Sequence, residues 1–199
     1  KLCSLFEKLE STQLTTIELK GKKDAALMFE LQNNRGKDLT NMEKLKSYFM
    51  YQMYVCNDEG EKDTEESINY IAQIFEEIYR TVNNIESLNE DSILIYHNNA
   101  YTKKGYAYRT LDDLKEEVKS EEEGISDNRA KTVWIKDYVS ELKTTFDNIE
   151  KFEKTEHKYA QKLTSIGMPA YAWAFIIRGY KYIGNNQIKL SELFQILEK

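Results

Sequence analysis

A single proline and eight glycines in 199 residues leave this chain few places to interrupt a helix. Proline breaks a helix because it lacks an N–H and its ring clashes with the preceding turn, and glycine weakens one through its backbone entropy. A chain so poor in both favours long helices over strands joined by tight turns. The apolar periodicity agrees. Leu45, Phe49, Met53 and Cys56, with Tyr48 beside them, repeat at the 3–4 spacing of a core-facing helix. Ile68, Ile71, Ala72, Phe75, Ile78, Tyr79 and Val82 continue it, and Ala130, Trp134, Tyr138, Leu142, Phe146 and Ile149 mark a long helix to about 153. Shorter stripes run through Ile93, Leu94, His97 and Tyr101, through Leu111, Leu114 and Val118, and through Leu190, Leu193, Phe194 and Leu197. The stretch "MPAYAWAFIIRGYKYIG", 168–184, is apolar nearly all round and reads as the central, buried helix.

The one strand candidate is "LTTIEL", 14–19, with β-branched residues in rough alternation and no obvious partner in the rest of the chain. The expected fold is therefore all-α: an irregular multi-helix bundle with at most one short N-terminal strand. It forms a single helical region over 1–199, with a corner at 1–57 and the bundle at 64–199. The unpaired strand and the abrupt start at Lys1 read as a piece of a larger protein.

Apolar residues at 41% and charged residues at 31% describe a globular chain. The net charge of −6 gathers in "NDEGEKDTEE", 57–66, and "EEVKSEEE", 116–123, which read as solvated faces or loops. An acidic chain is poorly suited to gripping nucleic acid across its whole surface, though "KGKK" at 20–23 offers a local basic patch. No apolar run approaches the roughly 20 residues of a membrane span, and no signal-peptide pattern opens the chain, so the expected location is cytoplasmic. Cys3 and Cys56 are too few for a disulfide framework. Cys56 lies on an apolar stripe and reads as a buried small hydrophobe. With only His97 and His157 besides, no metal-ligand cluster is visible. His97 reads as a packed core histidine and His157 as a surface residue.

The stretch "FELQNNRGKDLTNMEKLKSYF", 29–49, carries more chemistry. Gly36 suits the left-handed position that ends a helix. Thr40 then caps the next helix, and Glu43, three residues on, completes a reciprocal capping box. Arg35 must project from the turn, and Lys46 lies about 100° round the helix from Leu45. Two cations near the N–H groups of a helix start suggest a phosphate or carboxylate site. The plainer alternative has Arg35 bonding the last carbonyls of the preceding helix while Lys46 lays its stem along apolar surface.

The order Phe29, Asn33, Arg35-Gly36, Leu39-Thr40, an acid at 43, Leu45-Lys46 and Tyr48 resembles the F-x-x-L-N-x-R-G-x-x-L-S-x-x-D-L-L-K-x-Y signature of the GmrS-like family. These are bacterial proteins of modification-dependent restriction and phage defence, whose GmrSD-type members pair a ParB-like nucleotide-hydrolysing part with an HNH-type nuclease part. The match covers about 40 residues. Gln32 stands where the family usually has leucine, and Glu43 where it has aspartate. The family's D-G-Q-Q-R hydrolysis motif appears nowhere, nor does an HNH-like constellation.

The resemblance thus implies the helical segment after the catalytic N-terminal part. Asn33, Arg35, Gly36 and Lys46 would help form a nucleotide- or DNA-phosphate-binding cleft, with Thr40 and Glu43 as structural caps. Catalytic residues, metal and cofactor are expected to be absent from this segment. NTP and Mg would belong to the full-length parent, and DNA and a nuclease domain or subunit would be its partners. The alternatives are a helical interaction module docking a nuclease subunit, which the 14 tyrosines and two tryptophans would suit, and a self-contained helical protein of unrelated role.

Overall fold

Thr40 opens the first described helix, α1 (Asn41–Cys56). Its Oγ1 accepts from the Glu43 N–H at 3.2 Å, and the Thr40 N–H donates back to Glu43 Oε2 at 2.9 Å, so two donors that a helix start leaves orphaned are satisfied. The helix buries Met42, Leu45, Tyr48, Phe49, Met53 and Cys56. It ends at Asn57, whose backbone and side-chain N–H groups both donate to the Met53 carbonyl. The computed structural model describes residues 8, 10–12, 18, 21, 24, 28, 39–57, 62–101, 111–119 and 127–199. The strand expected at 14–19 falls almost wholly outside them.

Seven further helices follow: α2 (Lys62–Val82), α3 (Glu90–Tyr101), α4 (Leu111–Lys119), α5 (Asn128–Glu153), α6 (Lys158–Ile166), α7 (Ala170–Ile183) and α8 (Gln187–Glu198). Among the described residues there is no strand, and the protein is an all-α multi-helix bundle. Caps set several boundaries. Asp127 accepts from the Ala130 N–H to open α5, and Asn186 accepts from the Lys189 N–H to open α8. Pro169 stands just before α7, where its missing N–H costs nothing. The loop from α2 to α3 is tied to the end of α5, where Glu153 accepts from the Glu86 and Ser87 N–H groups at 2.9 and 3.0 Å.

The central helix is α5, not 168–184. It is the longest, at 26 residues, and it packs against α1, α2, α3, α6 and α7. Two of its buried residues, Thr145 and Asn148, are polar, so its apolar stripe looks narrower in the sequence than its burial is. The Thr145 hydroxyl is satisfied locally by the Glu141 carbonyl. In α7 only one face is buried, through Ala172, Trp173, Ile176, Ile177 and Tyr180. The short α6 buries only Ala160 and Leu163, too little for periodicity to mark it as a helix.

Aromatic clusters fill both ends of α5. Toward its start, Tyr138 meets Phe49 of α1 at 5.5 Å and His97 of α3 at 5.1 Å, both edge-on. At its end, Phe152 meets Trp173 of α7 at 5.6 Å and Phe194 of α8 at 5.5 Å. Burying each such ring is worth roughly 1.5–3 kcal/mol, with about 0.5–1.5 kcal/mol more for a well-oriented pair.

Candidate functional site

Of the residues expected to form a phosphate site, Asn33, Arg35 and Gly36 lie outside the described residues. Thr40, Glu43 and Lys46 are described. The start of α1 is where sequence reasoning would seat an anion, and an anion is already there. Asp91, near the start of α3, places Oδ2 3.2 Å from the Asn41 N–H and Oδ1 3.2 Å from the Met42 N–H. Since Thr40 Oγ1 holds the Glu43 N–H and the Lys44 N–H bonds the Thr40 carbonyl, every donor of this first turn is occupied within the chain. The helix dipole is offset by the chain's own carboxylate.

Lys46 faces a different feature, a shallow groove of about 560 Å³. Asn69, Ala72, Gln73, Glu76, Tyr79 and Arg80 of α2 line it, with Asn83 just beyond. Lys46 Nζ stands 5.9 Å from the centre of the Tyr79 ring. Arg80 pairs with Glu76 one turn away at 2.5 Å, an exposed pair worth little to stability. The groove therefore offers two cations, one of them already paired, three amides and an aromatic wall. Burial pushes the Tyr79 hydroxyl pKa well up, and the carboxylates of Glu90, Glu43 and Asp91 push it further. That acidic field acts against an anion bound at this end of the groove.

His97 is wholly buried between α3 and α5. Its Nδ1 lies 2.7 Å from Thr145 Oγ1. The Thr145 hydroxyl also lies 3.2 Å from the Glu141 carbonyl, and Nε2 of the ring is buried with no hydrogen-bond partner among the described residues. Burial, with Lys181 nearby, pushes the imidazole pKa down to about 3, so the ring is neutral at pH 7. Beside it Glu141 accepts from the Tyr101 hydroxyl and from Lys181 Nζ, both at 2.8 Å. This is a core histidine closed to solvent. His157 is not the surface residue the sequence suggests: it is half-buried, with its ring 5.5 Å from that of Phe194. Cys56 is buried, and burial raises its thiol pKa against the opposing field of Lys131. Among the described residues no group of three His, Cys, Asp or Glu side chains could hold a metal ion. No described helix is long and apolar enough to cross a membrane.

The most unusual surface lies elsewhere. Eight large hydrophobic side chains are exposed among the described residues, and six of them fall between Ile166 and Ile196, on α6, α7 and α8. Tyr171 is 59% exposed, Phe175 49% and Tyr182 74%, all on the side of α7 opposite its buried face. Sequence reasoning missed this face because tyrosine and phenylalanine count as apolar wherever they point. The signal that could have found it is Arg178, in line with the three rings, since an arginine rarely belongs on a buried face. Asp91 carried no comparable signal, for it reaches α1 from 50 residues away.

No family model, curated protein or solved structure matches the chain.

Proposed function

We propose that this chain is the helical docking portion of a bacterial modification-dependent restriction or phage-defence protein. It presents protein-binding surface to a nuclease domain or subunit, and the chemistry belongs to other parts of the assembly. The observation that carries this reading is that Phe175 and Tyr182 stand 49% and 74% exposed on the side of α7 opposite its buried face. Exposed apolar side chains that share one face mark interaction sites more often than scattered ones do. A net charge of −6 and an occupied α1 start argue in the same direction, away from a grip on DNA phosphates.

The test is co-elution and calorimetry of the chain with an HNH-type nuclease subunit of such a system, at low and high salt. Docking through apolar surface persists at high salt and is lost when Phe175, Tyr182 and Ile188 are all changed to serine. Binding unaffected by that triple change would sink the reading.

One observation favours a second reading, in which Lys46 contacts a nucleotide or DNA phosphate: Lys46 shares its groove with Arg80 and three amides. NTP and Mg would then be held mainly by the parent's catalytic part. Lys46→Ala and Arg80→Ala would each reduce the salt dependence of nucleotide or DNA binding by about one phosphate contact. An unchanged salt slope in both would remove this reading.

A further inference from the structure

We infer that the corner built by α6, α7 and α8 receives an acidic protein surface, in which carboxylates surround apolar side chains. This rests on the docking reading above and names the chemistry of what docks. The observation that carries it is charge. Residues 158–199 hold six Lys and Arg against two Glu, a net +4. The other 157 residues hold 22 basic against 32 acidic side chains, a net −10. The three helices are neighbours in space as well as in sequence, since α8 packs on both α6 and α7. The positive stretch of chain is thus one positive place on the fold.

Pairing within the chain uses only part of that charge. Lys162 bonds Glu198 and Lys181 bonds Glu141 of α5, each at 2.8 Å. Lys158 and Lys189 are exposed and have no carboxylate partner among the described residues. Lys158 Nζ stands 4.7 Å from the centre of the Tyr159 ring, a contact that leaves its charge in place. Apolar surface lies beside these cations. Ile188 and Ile196 are 74% and 70% exposed on α8 with Lys189, and Ile166 at the end of α6 is 75% exposed.

The kind of exposed side chain selects a protein over other polyanions. Single-stranded nucleic acid gains affinity by stacking bases on aromatic rings, and an isoleucine offers no such face. Three of the six exposed hydrophobic side chains here are isoleucines. A helix lying on an anionic membrane sinks one continuous apolar face, whereas exposed Glu192 stands between Ile188 and Ile196 on α8. An acidic protein surface answers both features, its carboxylates meeting the lysines and its apolar side chains covering the isoleucines. The net −10 of the remaining chain repels such a partner everywhere else, so encounter is steered to this corner. Salt then slows association, while dissociation, set by the apolar contacts, changes little.

Amide NMR titrations of the full chain test this with four probes. They are a soluble glutamate–leucine peptide, its lysine–leucine counterpart, a single-stranded thymidine oligonucleotide and vesicles rich in phosphatidylserine. The glutamate peptide should shift the Ile166, Phe175 and Ile188 amides, and the other three should leave them unmoved. Lys158→Glu combined with Lys189→Glu, both at exposed positions, should weaken the glutamate peptide at least about tenfold, with the undisturbed spectrum confirming the fold. A glutamate peptide that does not bind overturns the inference, as does one bound no better than the other probes or unaffected by the double reversal. Nuclease docking is read separately. A nuclease that docks at a rate indifferent to salt and to the double reversal fails only the acidic partner. A chain that takes the peptide but docks no nuclease fails only the nuclease reading.

Discussion

The start of α1 and the outer face of α7 are both places where a helix could meet a ligand, and the fold finishes them in opposite ways. At α1 every first-turn donor is taken by Thr40, Glu43's partner in the capping box, or by Asp91. At α7 the Phe175 and Tyr182 rings stand exposed on the side opposite the buried face. A polar helix end left open would lose hydrogen bonds, so folding closes it from within. An exposed ring has no such obligation. Surface that folding does not need is the surface available for binding.

Four measurements would break or sharpen this contrast. The largest effect is expected from Phe146→Ala in α5, on which both regions rest. Removing this wholly buried ring should cost about 3–5 kcal/mol in urea unfolding. Hydrogen exchange should then show α1 and α7 losing protection together. Separate loss would mean that the two regions do not share a core.

Acid acts next, through His97 between α3 and α5. Its folded pKa of about 3 lies below the ordinary 6.5, so the unfolded chain takes up the proton first. The stability from the neutral ring is complete above about pH 6.5 and is lost as pH falls toward 3. Between about pH 7.5 and pH 5 the loss should reach about 2 kcal/mol, visible as a lower urea midpoint. A His97→Phe variant should lack that part of the slope. Equal slopes in the two proteins would refute the assignment.

Asp91→Ala would unseal α1. Two hydrogen bonds to a carboxylate are lost from a partly exposed site, at a cost of about 1–2 kcal/mol. If the contrast holds, this variant gains weak binding of inorganic phosphate that the wild type lacks. Tyr182→Ser should matter least, shifting stability by no more than about 0.5 kcal/mol because the side chain is 74% exposed. A cost above ~1 kcal/mol would show that the α7 ring serves the fold after all.

The fold class was legible because helix periodicity is local. Leu45, Phe49, Met53, Ile68, Ile71, Phe75 and Ile78 are buried as their spacing requires, and Thr40 caps α1 with Glu43. Which helix lies at the centre was not legible. Thr145 and Asn148 hide the burial of α5 behind polar side chains, while Tyr171, Phe175 and Tyr182 lend α7 an apolar character that it spends on solvent. The candidate site was legible only where partners are near in sequence. The contact of Asp91 with α1 spans 49 and 50 residues, and no periodicity encodes it.

The most direct test of the contrast is a two-dimensional amide NMR series on the wild-type chain, in which inorganic phosphate and an HNH-type nuclease subunit are added independently. Phosphate should leave the Asn41 and Met42 amides unmoved, while the nuclease subunit shifts those of Phe175 and Tyr182. Asn41 and Met42 amides that follow phosphate, with α7 indifferent to the nuclease subunit, would contradict it.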